Sequence, residues 1–142
     1  ECRMSASIRA SLLIAAISIS AMFVACRRAD DQLTEWQRAR SGSVDVVLLS
    51  SDGTVRHGRD AIAIEFRSAR DGKLVEVASP QVSATMPMPG MPMFGSINLK
   101  PTGVPGRYTA DVQLEMAGTW RFNVQWQDGA GSSSVGFSSA VQ

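Results

Sequence analysis

Residues 107–127 read RYTADVQLEMAGTWRFNVQWQ, from Arg107 to Gln127, and two runs of strict alternation inside that stretch decide the fold. In the first run Tyr108, Ala110, Val112, Leu114 and Met116 fall on one side and Arg107, Thr109, Asp111, Gln113 and Glu115 on the other. In the second, Trp120, Phe122, Val124 and Trp126 alternate with Arg121, Asn123, Gln125 and Gln127. Successive side chains of a β-strand point to opposite faces, so each run is a strand with one apolar face and one wet face. Ala117-Gly118 lies between them where a turn is needed, and the pair reads as a β-hairpin with a large aromatic inner surface.

Working outward, the same period of two recurs in weaker form. Ile62, Ile64 and Phe66 alternate with Ala63, Glu65 and Arg67 ahead of an Asp71-Gly72 turn, and Val75 and Val77 continue the pattern. Val44 to Leu49 is apolar on both faces and reads as a central or covered strand. Val82 to Thr85, Ile97 to Leu99, and Val135 with Phe137 after the Gly129 to Ser134 loop complete the set. No helical periodicity interrupts it. Short strands punctuated by turn residues predict an all-β domain over 44–142, an immunoglobulin-like antiparallel β-sandwich of about seven strands.

Ahead of that domain the chain reads as an address and a tether. Arg3 and Arg9 give a basic start, Ser11 to Val24 is an almost unbroken apolar run, and Ala25 precedes Cys26. Phe23-Val24-Ala25-Cys26 resembles a bacterial lipobox, so residues 1–26 are expected to be a signal peptide whose Cys26 carries the lipid; the competing reading is an uncleaved anchor helix stopped by Arg27 and Arg28. Either places the rest outside the cytoplasm, facing the periplasm or extracytoplasmic space, and tied to a membrane. Residues 27–43, polar and mixed in charge with Leu33 and Trp36 as their only large apolar side chains, are expected to be a tether. Cleavage before Cys26 removes Cys2 and leaves no free thiol. A net charge of +1 with 19% charged residues gives no one-signed field to attract nucleic acid.

One segment carries unusual chemistry. Thr85 to Gly95 reads TMPMPGMPMFG and holds Met86, Met88, Met91 and Met93, four of the seven methionines in 142 residues. Pro87, Pro89 and Pro92 remove ladder donors and favour extended, exposed arms about a Pro89-Gly90 reversal. In each arm side chains two apart share a direction, so Met86 pairs with Met88 and Met91 with Met93, and a reversal brings the pairs together. A thioether is neutral, polarisable and soft, which selects Cu(I) or Ag(I) over zinc, calcium or magnesium. The competing reading is apolar filling or an adaptable contact surface. Met116 falls on the inner face by parity, as packing, yet ends its run and can reach the same rim. His57, the single histidine, stands in a turn-like stretch as a surface residue or a further ligand.

With these features in view, the stretch from about Asp52 onward resembles the YtkA-like and FixH-like family of small periplasmic domains. The residues that carry the resemblance are Ser51-Asp52-Gly53, Gly58, Phe66, Asp71-Gly72-Lys73, Thr85-Met86-Pro87, Pro105-Gly106-Arg107-Tyr108 and Met116-Ala117-Gly118-Thr119-Trp120. The resemblance implies an immunoglobulin-like fold, copper and silver handling, and partnership with a metal efflux or oxidase-assembly protein. Relatives mix histidine with methionine in the loop; this chain has methionine alone, which shifts the expected ion from Cu(II) to Cu(I) or Ag(I). The alternative function is a non-metal adaptor domain of such a system. An enzyme is not expected, because one histidine, no mature thiol and carboxylates mostly at turns or on wet faces provide no base beside a nucleophile.

Overall fold

In the computed structural model, which describes residues 32–142, alternation becomes eight strands: β1 (Thr34–Ser41), β2 (Val44–Ser50), β3 (Gly58–Ser68), β4 (Ala78–Met86), β5 (Met93–Pro101), β6 (Arg107–Leu114), β7 (Gly118–Asp128) and β8 (Gly131–Val141). The signal, lipobox and Cys26 readings lie outside these residues. All ladders are antiparallel, in the order β1-β2-β3-β6-β5-β4-β7-β8. The domain is an all-β, immunoglobulin-like antiparallel sandwich.

The two layers share β5. Its first residues, Met93–Gly95, pair with β4, and Ser96–Pro101 pair with β6. A strand changes sheets in this way only where the corner has room. Gly95 provides it, since a Cβ there would lie 2.5 Å from Leu114 Cδ2 and 3.2 Å from Ala84 Cβ.

Between the layers sit the side chains that sequence parity turned inward. Trp120, Trp126, Phe66 and Phe122 are fully buried with Leu48, Ile64, Leu114 and Val112. Phe66 meets Trp126 edge-on at 5.4 Å and Tyr108 at 5.8 Å. Such edge-to-face pairs add about 0.5–1.5 kcal/mol each beyond area burial. Val44 to Leu49 is the central strand its composition predicted, with β1 on one side and β3 on the other.

Two expectations are corrected. The runs at 107–116 and 119–127 are not a hairpin: β6 pairs with β3 and β5, whereas β7 pairs with β4 and β8. They belong to opposite layers and meet through their apolar faces, so residues 115–117 cross from one sheet to the other. The tether expected over 27–43 gives way at Thr34 to β1, laddered to β2. Trp36 fastens that strand to β8 by donating from Nε1 to Ser139 Oγ at 3.0 Å, and its ring stands edge-on to Phe122 at 5.2 Å.

The end of the sandwich away from the methionines is held by a buried charge. Glu65 is completely buried, and its carboxylate accepts from Arg67 Nε at 2.7 Å and from Arg107 Nε at 2.8 Å. Beside it Gly106, at φ +83°, lies so close to Val75 that a Cβ would stand 2.5 Å from the Val75 carbonyl oxygen. This accounts physically for Gly106-Arg107-Tyr108: close backbone approach, charge partner, and aromatic packing on Phe66.

Candidate functional site

Antiparallel order brings five chain features to one end of the sandwich. β4 ends and β5 starts there, with Met86 directly opposite Met93. β6 ends there at Leu114, opposite Gly58 at the start of β3. β7 starts there at Gly118, opposite Val141 of β8. Thr34, the first residue of β1, stands at the same end opposite Ser50. The methionine hairpin, the 115–117 crossover, the segment carrying His57, the end of β8 and the entry to the domain therefore form one rim.

The reversal expected at Pro89-Gly90 is present, with Gly90 in the left-handed region at φ +81°. The methionines divide by depth. Met86 is 6% exposed, because β4 keeps its inward parity through Val82, Ala84 and Met86 and the prolines begin only at 87. Met93 is half-buried and packs on the same core. Both turn inward across the last rung of the ladder, where opposed Cβ atoms stand about 4.5–5.5 Å apart. Met88 and Met91, in the connection above, are 38% and 73% exposed. Met86 therefore does not share the exposure of Met88: the inner pair is Met86 with Met93.

Met116 joins this group from the other layer. β6 stops at Leu114, so parity no longer governs two residues later, and Met116 is 42% exposed rather than packed in the core. Its position is set by Trp120, whose Nε1 donates to the Met116 carbonyl at 3.0 Å. Gly118, two residues on, lies against the Met86 methyl; a Cβ there would be 2.5 Å from Met86 Cε. Methionines of β4, β5 and the crossover thus stand at one end of the sandwich, with two more carried by the connection above.

His57 lies one step further along the rim. It is exposed, its backbone N–H donates to the Gln142 carbonyl at 2.7 Å, and its Nδ1 stands 2.9 Å from the same oxygen. In that contact Nδ1 is the donor, so Nε2 is the ring nitrogen left to a ligand; a second hydrogen bond of this kind is how a ligating imidazole is oriented. Gln142 follows Val141, the partner of Gly118, and this links His57 to the methionine group through β8. Among the described residues no three His, Cys, Asp or Glu side chains are grouped to hold a metal.

Sequence reading passed over Phe94. It follows Met93 on the outward side of β5 and is 73% exposed. Across the outer face it stands beside Thr85, which stands beside Arg121. The available signal was parity: an aromatic ring between inward Met93 and inward Gly95 must face out.

Fold and rim together define a small antiparallel sandwich bearing a thioether-rich end. The YtkA-like family pattern matches residues 38–125, and the chain belongs to that family. Among solved structures, PcoC, a copper resistance protein from Escherichia coli, is similar at a TM-score of 0.44 and 17% identity, over 63% of this chain and 89% of that one. No curated protein matches the chain.

Proposed function

We propose that this is a membrane-tethered, non-enzymatic protein of the bacterial cell envelope that holds Cu(I) or Ag(I) on its methionine rim and passes the ion to an efflux or oxidase-assembly partner. One observation carries the reading: the β4–β5 register sets Met86 against Met93, with Gly118 holding the Met116 crossover beside them. Inward sulfurs form a floor that packing keeps in place, while Met88 and Met91 are free to close over an ion from above. Soft, neutral donors favour a monovalent soft ion and exclude none by charge. Thioethers have no proton to lose, so their affinity for the ion is independent of pH. Lipidation at Cys26 supplies the tether in this reading.

The test is a Cu(I) titration of the protein against a competing chelator, repeated with Met86, Met88, Met91 and Met93 each changed to leucine. Leucine preserves volume, and such swaps usually cost less than about 1.5 kcal/mol, so the fold survives while the donor is lost. Weakened affinity in the variants is the expected result. Affinity unchanged with all four replaced removes the proposal.

A second reading, an adaptor that binds a partner without metal, is favoured by the exposure of Met88, Met91, Phe94 and Met116. It predicts that leucine replacements preserve partner capture and that charged ones abolish it.

A further inference from the structure

The large apolar side chains that the described residues leave exposed are Met88, Met91, Phe94 and Met116, and all of them stand at the rim end. On β6 and β7 the outward positions are polar: Thr109, Asp111 and Gln113 on β6, and Arg121, Asn123 and Gln125 on β7. An apolar cluster confined to one end of a sandwich marks a surface that something covers. The same end carries Thr34, where the chain enters the domain. Cys26, the proposed lipid attachment, is eight residues before Thr34. Even fully extended, that segment spans at most about 29 Å at 3.3–3.6 Å per residue. Had Thr34 been at the other end, the sandwich itself would separate the apolar cluster from the anchor.

From this coincidence we infer that the rim docks on the surface of the lipid bilayer, with Met91 and Phe94 entering the headgroup boundary and Met88 and Met116 beside them. The inference rests on the anchoring part of the reading above; it shares Met88, Met91 and Met116 with the ion reading, and its test is made without metal. Docking of an anchored domain is intramolecular, and a short tether raises the local concentration of its surface to the millimolar range. A patch of a few side chains, too weak to recruit a free protein, is then sufficient to orient this one. Phe94 provides the ring suited to that boundary, and exposed Arg121, two strands away through Thr85, supplies a cation at headgroup level. A soluble protein or a second copy of the chain could also cover apolar side chains, but neither explains why they gather at the anchored end.

The experiment uses the full chain, purified from membranes and placed in vesicles of phosphatidylcholine and phosphatidylglycerol. Its mass reports diacylation at Cys26 independently of docking. An environment-sensitive fluorophore is attached at Glu115→Cys, which leaves every apolar rim side chain in place, or at Ala130→Cys in the turn between β7 and β8 at the opposite end. Lipids bearing a quencher on the acyl chain should quench the label at 115 and blue-shift it, and leave the label at 130 unaffected. Adding Met91→Asp and Phe94→Asp should abolish the quenching at 115 without altering the mass added by diacylation or the circular dichroism. A diacylated chain whose label at 115 stays unquenched overturns docking and leaves anchoring intact, as does equal quenching at both ends. A blue shift without lipid quenching means that protein covers the rim, and also overturns it. A chain recovered without lipid and outside the membrane overturns anchoring and docking together.

Discussion

Replacing Gly106 by alanine puts two separable effects on one atom. The backbone at Gly106 has φ +83°, a region that costs an L side chain about 1–3 kcal/mol. The added Cβ would also stand 2.5, 2.9 and 3.0 Å from the Val75 carbonyl oxygen, carbonyl carbon and amide nitrogen. These are main-chain atoms and cannot rotate aside. Relief requires moving Val75, whose N–H donates to the Phe66 carbonyl at 2.9 Å, or moving Gly106, whose carbonyl accepts from the Phe66 N–H at 2.9 Å. Losing either adds about 1 kcal/mol or more, since a buried backbone group left unpaired costs on the order of 1–3 kcal/mol. The expected total is about 3–5 kcal/mol, a large part of the 5–15 kcal/mol by which domains are stable. Two controls divide it. Gly72, at φ +71° with open space around its Cβ position, should cost the dihedral term alone on changing to alanine, and Gly103, with open space and no positive φ, should cost within about 0.5 kcal/mol. Urea unfolding reads all three. With a slope near 2 kcal/mol per molar, the Gly106 variant should lose about 2 M in midpoint. If Gly106→Ala costs no more than Gly72→Ala, the contact with Val75 is not what the glycine serves.

Trp36→Ala should destabilise the domain by about 3 kcal/mol in the same assay, because it removes a packed ring and the bond to Ser139; a change within about 0.5 kcal/mol would return residues 34–41 to the role of a tether. Glu65→Gln takes the charge from a completely buried carboxylate set between Arg67 and Arg107, and should cost about 3–5 kcal/mol. For acid, Arg38 lowers the Glu35 carboxyl by hydrogen bond, Arg40 does the same to Asp45, and the Ala130 N–H lowers Asp128. A carboxyl lowered in the folded state contributes stability above its unfolded pKa, near 4, which is lost as pH falls through the folded value. Urea midpoints should therefore be level from pH 7 to 5 and decline below about 4, and a decline already complete at pH 5 would contradict these partners.

Alternation was legible wherever one face is dry and the other wet. Arg107 to Leu114 and Thr119 to Gln127 announced their faces, and Val44 to Leu49, with apolar residues on both faces, announced a strand with neighbours on both sides. Parity names a face but not a partner, so β6 and β7, close in sequence and both turned to the same core, were read as paired when they lie across it. β1 escaped notice because a bulge between Glu35 and Gln37 breaks its alternation and its outward residues are charged. The loop was legible from its prolines and its chemistry. The depth of its methionines was not, because Met86 belongs to the strand and Met93 to the next, and only the ladder shows where each ends. Met116 was misplaced for the same reason, by extending parity past Leu114.

The connection 87–92 hangs between two residues, Met86 and Met93, that are themselves a rung of a ladder. Whatever is written into that connection leaves the register beneath it unchanged, and doubling its length would add only about 0.6 kcal/mol of closure entropy. The scaffold therefore treats its methionine-bearing loop as an exchangeable cassette: histidines for methionines, or a longer arm for a shorter one, alter what the rim presents without redesigning the frame beneath it.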